Sequence, residues 1–214
     1  MTDLLNSPFL KIEQQSSQLE YRIEDQDDRP LGQATQVSGP KPRKGLIGMF
    51  SSGLKDARVV VQVAGLDGAP LFYVDRQDGA PVAIVAPDGT VIGRFQDDRT
   101  GAAQQLSGGG VGRGMLNVLA GAAAMRHRLF DAYDRPLCEL AWEMRRTGTV
   151  EDNNLQWVPV ACDYTDMNGQ RIAHTDVREA TFKDRYVLQL MYQLPEPLRT
   201  LVIASPLAFD LTRS

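Results

Sequence analysis

Five cations fall in one short stretch of the chain: Lys41, Arg43, Lys44, Lys55 and Arg58. Between them lie the apolar residues Leu46, Ile47, Met49, Phe50 and Leu54. Basic groups beside apolar ones suit an anionic lipid surface, where each cation adds up to ~1 kcal/mol and apolar insertion adds more. The five cations are therefore the candidate lipid-binding residues. The competing reading is a solvated loop whose apolar half packs as a short helix against the rest of the protein. Arg145-Arg146 is a second basic pair able to extend a positive surface.

The remaining reactive side chains suggest structure more than chemistry. The run from Gly108 to Gly114 matches neither the dinucleotide fingerprint nor the Gly-Lys-Ser/Thr ending of a phosphate loop, so it reads as a flexible linker. His127 and His174, the two histidines, sit in strand patterns and are too scattered for a metal triad. Cys138 and Cys162 lack metal-ligand spacing and read as buried free thiols. Asp25, Asp67, Asp78, Asp88, Asp131 and Asp166 lie in or beside turns, where a carboxylate hydrogen-bonds the local backbone. No enzyme, metal or cofactor is expected from this set.

The 214-residue chain has a formal net charge of −4, which argues against a nucleic-acid partner. Its start lacks a basic segment followed by an apolar one, so no secretory signal is expected and the cytoplasm is the expected compartment.

Asp-Gly and Asn-Gly steps at 67–68, 78–79, 88–89 and 168–169 supply the positive φ of hairpin turns. Asp25–Pro30 and Asp134–Pro136 are further turn signals. Alternating apolar residues flank these turns: Tyr21 and Ile23; Val59, Val61 and Val63; Val82 and Ile84; Cys138, Leu140 and Trp142; Tyr186, Leu188, Leu190 and Tyr192. Counting both arms of each hairpin predicts about twelve strands. Steps such as Arg29-Pro30-Leu31-Gly32 and Arg135-Pro136-Leu137-Cys138 mark a weak internal repeat.

From Leu198 to Leu211 the chain is apolar on all faces of a helical wheel, the pattern of a core helix, and too short to cross a bilayer. Pro206 predicts a kink near Ser205. Repeated hairpins suit a closed barrel, and a barrel of about twelve strands is too wide for strand side chains alone to fill. The expected architecture is mainly β: a closed antiparallel barrel enclosing the C-terminal helix, one domain over 1–214. Segment 100–126 is read as a loop with a short helix in its second half, and 195–211 as the central helix.

In that order of elements the chain resembles the phospholipid scramblase and LURP-one-related families, which share the tubby-like barrel. The best-marked parts are Tyr21–Asp25 with Leu31-Gly32, Ala86–Phe95, and Leu198–Asp210. The resemblance implies the fold, with association with lipid as a corollary. It does not carry over calcium-triggered scrambling. The stretch matching the acidic segment of eukaryotic scramblases, Phe182–Leu190, keeps only Asp184, whereas calcium asks for six to eight oxygen ligands. The function expected is non-enzymatic, peripheral binding of anionic phospholipid or another ligand. The alternative is a cytosolic protein-interaction scaffold or small-ligand carrier with no membrane role.

Overall fold

The computed structural model describes residues 3–16, 19–40, 57–98, 122–147, 156–180 and 183–213. Among them twelve strands run in chain order: β1 (Phe9–Ser16), β2 (Glu20–Glu24), β3 (Pro30–Ser38), β4 (Val59–Gly65), β5 (Pro70–Arg76) and β6 (Val82–Val85). Then follow β7 (Val91–Asp97), β8 (Ala122–Asp131), β9 (Pro136–Thr147), β10 (Gln156–Asp166), β11 (Arg171–Ala180) and β12 (Lys183–Leu190). Each strand pairs with its chain neighbours, and β1 pairs antiparallel with β12, Leu10 opposite Leu188 and Ile12 opposite Tyr186, which closes the barrel. Among the described residues one α-helix, α1 (Leu198–Arg213), follows β12.

The barrel forms because one face of each strand is apolar. Val59, Val61 and Val63 on β4, Phe72 and Val74 on β5, and Cys138, Leu140 and Trp142 on β9 are all buried. So is every residue of α1 from Thr200 to Leu211. The helix has no solvent-facing stripe over that span because the strands surround it. Burying each of its large apolar side chains contributes about 1.5–3 kcal/mol. Its first turn is capped by Glu196, whose carboxylate accepts from the Thr200 amide at 3.2 Å and the Thr200 hydroxyl at 2.8 Å. Arg199 straps it down, donating to the Leu194 carbonyl and to Asn6 Oδ1. Pro206 lies inside the helix. The Val202 carbonyl, which Pro206 cannot serve, accepts the Ser205 hydroxyl at 2.7 Å, and Ser205 also meets the Tyr164 hydroxyl at 2.9 Å.

At one rim, five turns share one geometry. In each, the first residue's amide donates to the carbonyl four positions on, and the fourth residue's amide donates back: Asp25/Arg29, Gly65/Ala69, Ala86/Thr90, Asp131/Arg135 and Asp166/Gln170. The fourth position has positive φ, filled by Gly68, Gly89 and Gly169 and by Asp28 and Asp134. A carboxylate completes each loop: Oδ1 of Asp25, Asp131 and Asp166 accepts two backbone amides, and that of Asp67 and Asp88 accepts one. These five aspartates are structural, as their turn positions predict. Asp78 lies in the β5–β6 turn at the opposite rim.

Three expectations are corrected. Strand β1, whose Leu10 and Ile12 alone carry the buried alternation before the stretch turns polar, is an unforeseen element, and it is the strand that closes the barrel. Residues 122–126 belong to β8 and pair with β9, Ala122 opposite Arg145, rather than forming the end of a helical insertion. Tyr192 falls past the end of β12 and is exposed, because the chain has already turned toward α1. The glycine run and residues 115–121 lie outside the described residues.

Candidate functional site

Strand directions sort every connection to one of two rims. The five short turns and the start of α1 share the first. The connections 39–58, 77–81 and 98–121, and those between β1 and β2, β9 and β10, and β11 and β12, leave from and return to the second, where α1 also ends. Of the five candidate lipid-binding residues, Lys41, Arg43, Lys44 and Lys55 lie outside the described residues, within a connection tethered at this second rim between Ser38 and Val59. Arg58 is described. Its Nε and terminal nitrogen grip Asp75 at 2.9 and 2.5 Å across the β4–β5 pair, while its side chain stays 63% exposed. The carboxylate holds this guanidinium charged and raises its already high pKa.

The rims differ in charge. The first carries Glu24, Asp25, Asp27, Asp28, Asp67, Asp88, Asp131, Asp134, Asp166 and Glu196 against Lys11, Arg29, Arg94, Arg135, Arg171 and Arg199, with Lys11 paired to Asp28 and Arg94 to Asp134. Asp88 and Asp166 are held below the usual carboxylate range by the backbone amides of Thr90 and Gln170, so they stay ionised. At the second rim Arg58, Arg76, Arg126, Arg145, Arg146, Arg178, Lys183 and Arg213 sit near strand or helix ends, against Glu20, Asp75, Asp78, Asp97, Asp98, Glu143, Glu179 and Asp184. Among the described residues the first rim is thus acidic, while the second carries cations and carboxylates in about equal number. Arg145-Arg146 ends β9 at the same rim but across the barrel mouth from β3 and β4, and exposed Val37, Met125 and Trp157 stand at that rim as well.

Inside the second rim, β8 turns His127 toward the helix. Its ring stacks on Phe95 at 4.6 Å and meets the Phe209 ring edge-on at 5.5 Å. Its Nε2 lies 2.8 Å from Asp97 Oδ1. Burial lowers its pKa from 6.5 to about 4, against the pull of Asp97, so the imidazole is neutral at pH 7. Above pH 6.5 neither state binds this proton and the burial costs nothing extra. As pH falls from 6.5 to 4, the unfolded chain takes up a proton that the native state refuses. Stability should therefore fall by up to about 3 kcal/mol across that window. Chemical denaturation of wild type and His127→Phe at a series of pH values checks this: the variant's curve should lose that share of the slope.

A second polar group lies deeper. Asp210 on α1 is buried and accepts hydrogen bonds from Tyr21 and Tyr186, the latter at 3.1 Å. Beside them Trp142 stacks on Phe209 with centroids 3.8 Å apart. Cys138 and Cys162 are free and buried, and burial raises the Cys138 thiol to about 12 and the Cys162 thiol well above its ordinary value. His174 sits on the outer face between Asp163 (2.7 Å) and Asp176 (3.3 Å). Among the described residues no group of three or more His, Cys, Asp or Glu is placed to hold a metal.

The arrangement of twelve strands around one helix is shared with a solved structure. An Arabidopsis thaliana protein, AT5G01750, of the LURP-one-related, tubby-like kind, matches with a TM-score of 0.50 at 11% identity, over 97% of this chain and 94% of that one. The likeness is one of fold. No family model and no curated protein matches the sequence. Among the described residues no helix is long and apolar enough to cross a membrane.

Sequence reasoning missed the Asp97–His127 pair and the tyrosine-bound Asp210. The first pair is 30 positions apart, brought together by register, Asp97 opposite His127. Period-two placement of His127 with Leu129 and Asp131 was the available signal.

Proposed function

We propose that this protein binds anionic phospholipid surfaces peripherally, through the rim that carries connection 39–58. The observation that carries this reading is the charge division of the barrel. Its topology tethers the flanks of the Lys41–Lys55 stretch, with Arg58, at one rim, and puts the acidic turns at the far end. A protein polarised in this way is oriented by an anionic surface before contact, and the field falls off within a Debye length. Exposed Val37, Met125 and Trp157 supply apolar groups at the same rim. No catalytic constellation enters this reading: the chain acts as a docking module.

Co-sedimentation with vesicles tests it. Wild type should bind vesicles containing phosphatidylglycerol and lose binding as salt rises. Reversing Lys41, Arg43 and Lys44 to glutamate should weaken binding about 100-fold or more, from ~1 kcal/mol per cation removed. Binding that ignores anionic lipid, or that survives the triple reversal, contradicts the proposal. An interaction scaffold with no membrane role would show that result.

A further inference from the structure

At the second rim lies an acidic hollow. A cavity of about 420 Å³ opens between the β5–β6 turn, the end of β7 and the end of α1, lined by Gly79, Ala80, Pro81, Val82, Phe95, Gln96, Asp97 and Thr212. Its described lining holds a carboxylate and no cation. Asp97 is 53% exposed, and its partner His127 is neutral at pH 7, so the charge on Asp97 is not cancelled. The cavity also meets the C-terminal end of α1 at Thr212. The last carbonyls of a helix lack intrahelical partners and carry roughly half a negative charge. One turn back, the Phe209 carbonyl takes the Thr212 hydroxyl at 2.7 Å. Arg213, the basic residue of that last turn, lies over the Phe209 ring at 5.5 Å. Carboxylate and helix end together make a negative pit whose walls, Pro81, Val82 and Phe95, are apolar.

We infer that this cavity takes the primary ammonium group of a phospholipid headgroup, bound by Asp97 at the carbonyl end of α1. The inference rests on the proposed membrane docking and adds to it a headgroup preference. A serine or ethanolamine headgroup pairs a negative phosphate or carboxylate with an ammonium a few ångströms away. The cations of this rim suit the former and the pit suits the latter. Its volume exceeds that of either headgroup, so size admits both.

The test uses the full chain and vesicles matched in anionic charge, one set with phosphatidylserine and one with phosphatidylglycerol, which has no amine. A charge-assisted hydrogen bond predicts a preference of about tenfold or more for phosphatidylserine. Asp97→Asn should bring phosphatidylserine binding down to the phosphatidylglycerol level and leave the latter unweakened. Equal binding of both lipids by wild type, or a preference retained in Asp97→Asn, overturns the inference while leaving docking intact. Absence of binding to either vesicle instead defeats the docking proposal. A parallel titration with soluble phosphoethanolamine, followed by amide shifts at Asp97 and Thr212, separates the sources. Shifts present in wild type and absent in Asp97→Asn place the ammonium in the pit even without a bilayer, and their absence together with absent vesicle binding overturns the inference.

Discussion

Phe209→Ala is expected to cost about 3–5 kcal/mol of folding stability, a large share of a domain's usual net ~5–15 kcal/mol. Phe209 is fully buried on α1. Its ring stacks on Trp142 and takes the edge of His127, which itself stacks on Phe95. Removing it opens a void in the middle of a closed barrel, where the surrounding strands are tied to their neighbours and have little freedom to collapse inward. Phe209→Leu keeps most of the volume and should cost about 1.5 kcal/mol or less. Tyr133→Ala, at a position 81% exposed, should change stability by no more than about 0.5 kcal/mol. Denaturant midpoints for the three variants check the ordering; equal losses would mean that the helix is not enclosed.

Gly93→Ala should be nearly as damaging, by the opposite mechanism. A Cβ at Gly93 would stand 2.2 Å from the Phe130 carbonyl oxygen and 2.8 Å from a Leu201 methyl. The first contact is backbone of the paired strand β8, and the second is the face of α1 packed against β7. The carbonyl can yield only if the strand moves, and the Leu201 methyls end a fully buried side chain with little room to turn aside. Overpacking of this kind costs about 3 kcal/mol at the upper end of its usual range. Pairing it with Leu201→Ala relieves only the helix contact. The double variant should therefore remain well below wild type by thermal unfolding, and full recovery would assign the closeness to the helix alone.

The turns and the helix were legible because their physics is local. Asp-Gly and Asn-Gly steps report positive φ within a few residues. The stretch from Leu198 to Leu211 has no polar face to offer to water, so something had to surround it, and a wide barrel needed filling. What stayed hidden depends on distant partners. The alanines at 122–124 read as helix by intrinsic propensity, yet pairing with β9 holds them in a strand. Strand β1 offers only Leu10 and Ile12 to the core, too short an alternation to stand out, and its role in closure is set by β12, about 175 positions on. Asp210 looks like the polar end of an apolar stretch, but α1 continues to Arg213 and buries it against Tyr21 and Tyr186. At the rim, Arg58 was legible as a cation, whereas its grip on Asp75 required the β4–β5 register.

The proposal that the rim bearing connection 39–58 faces the membrane has a built-in reporter. The chain has two tryptophans: Trp142 is buried against Phe209, and Trp157 stands exposed at that rim. Vesicles containing anionic lipid should shift the emission of Trp157 to the blue, and brominated acyl chains should quench it, while Trp157→Phe removes the response and keeps the binding. Binding with Trp157 emission unchanged and unquenched would mean that another face meets the lipid, contradicting the account.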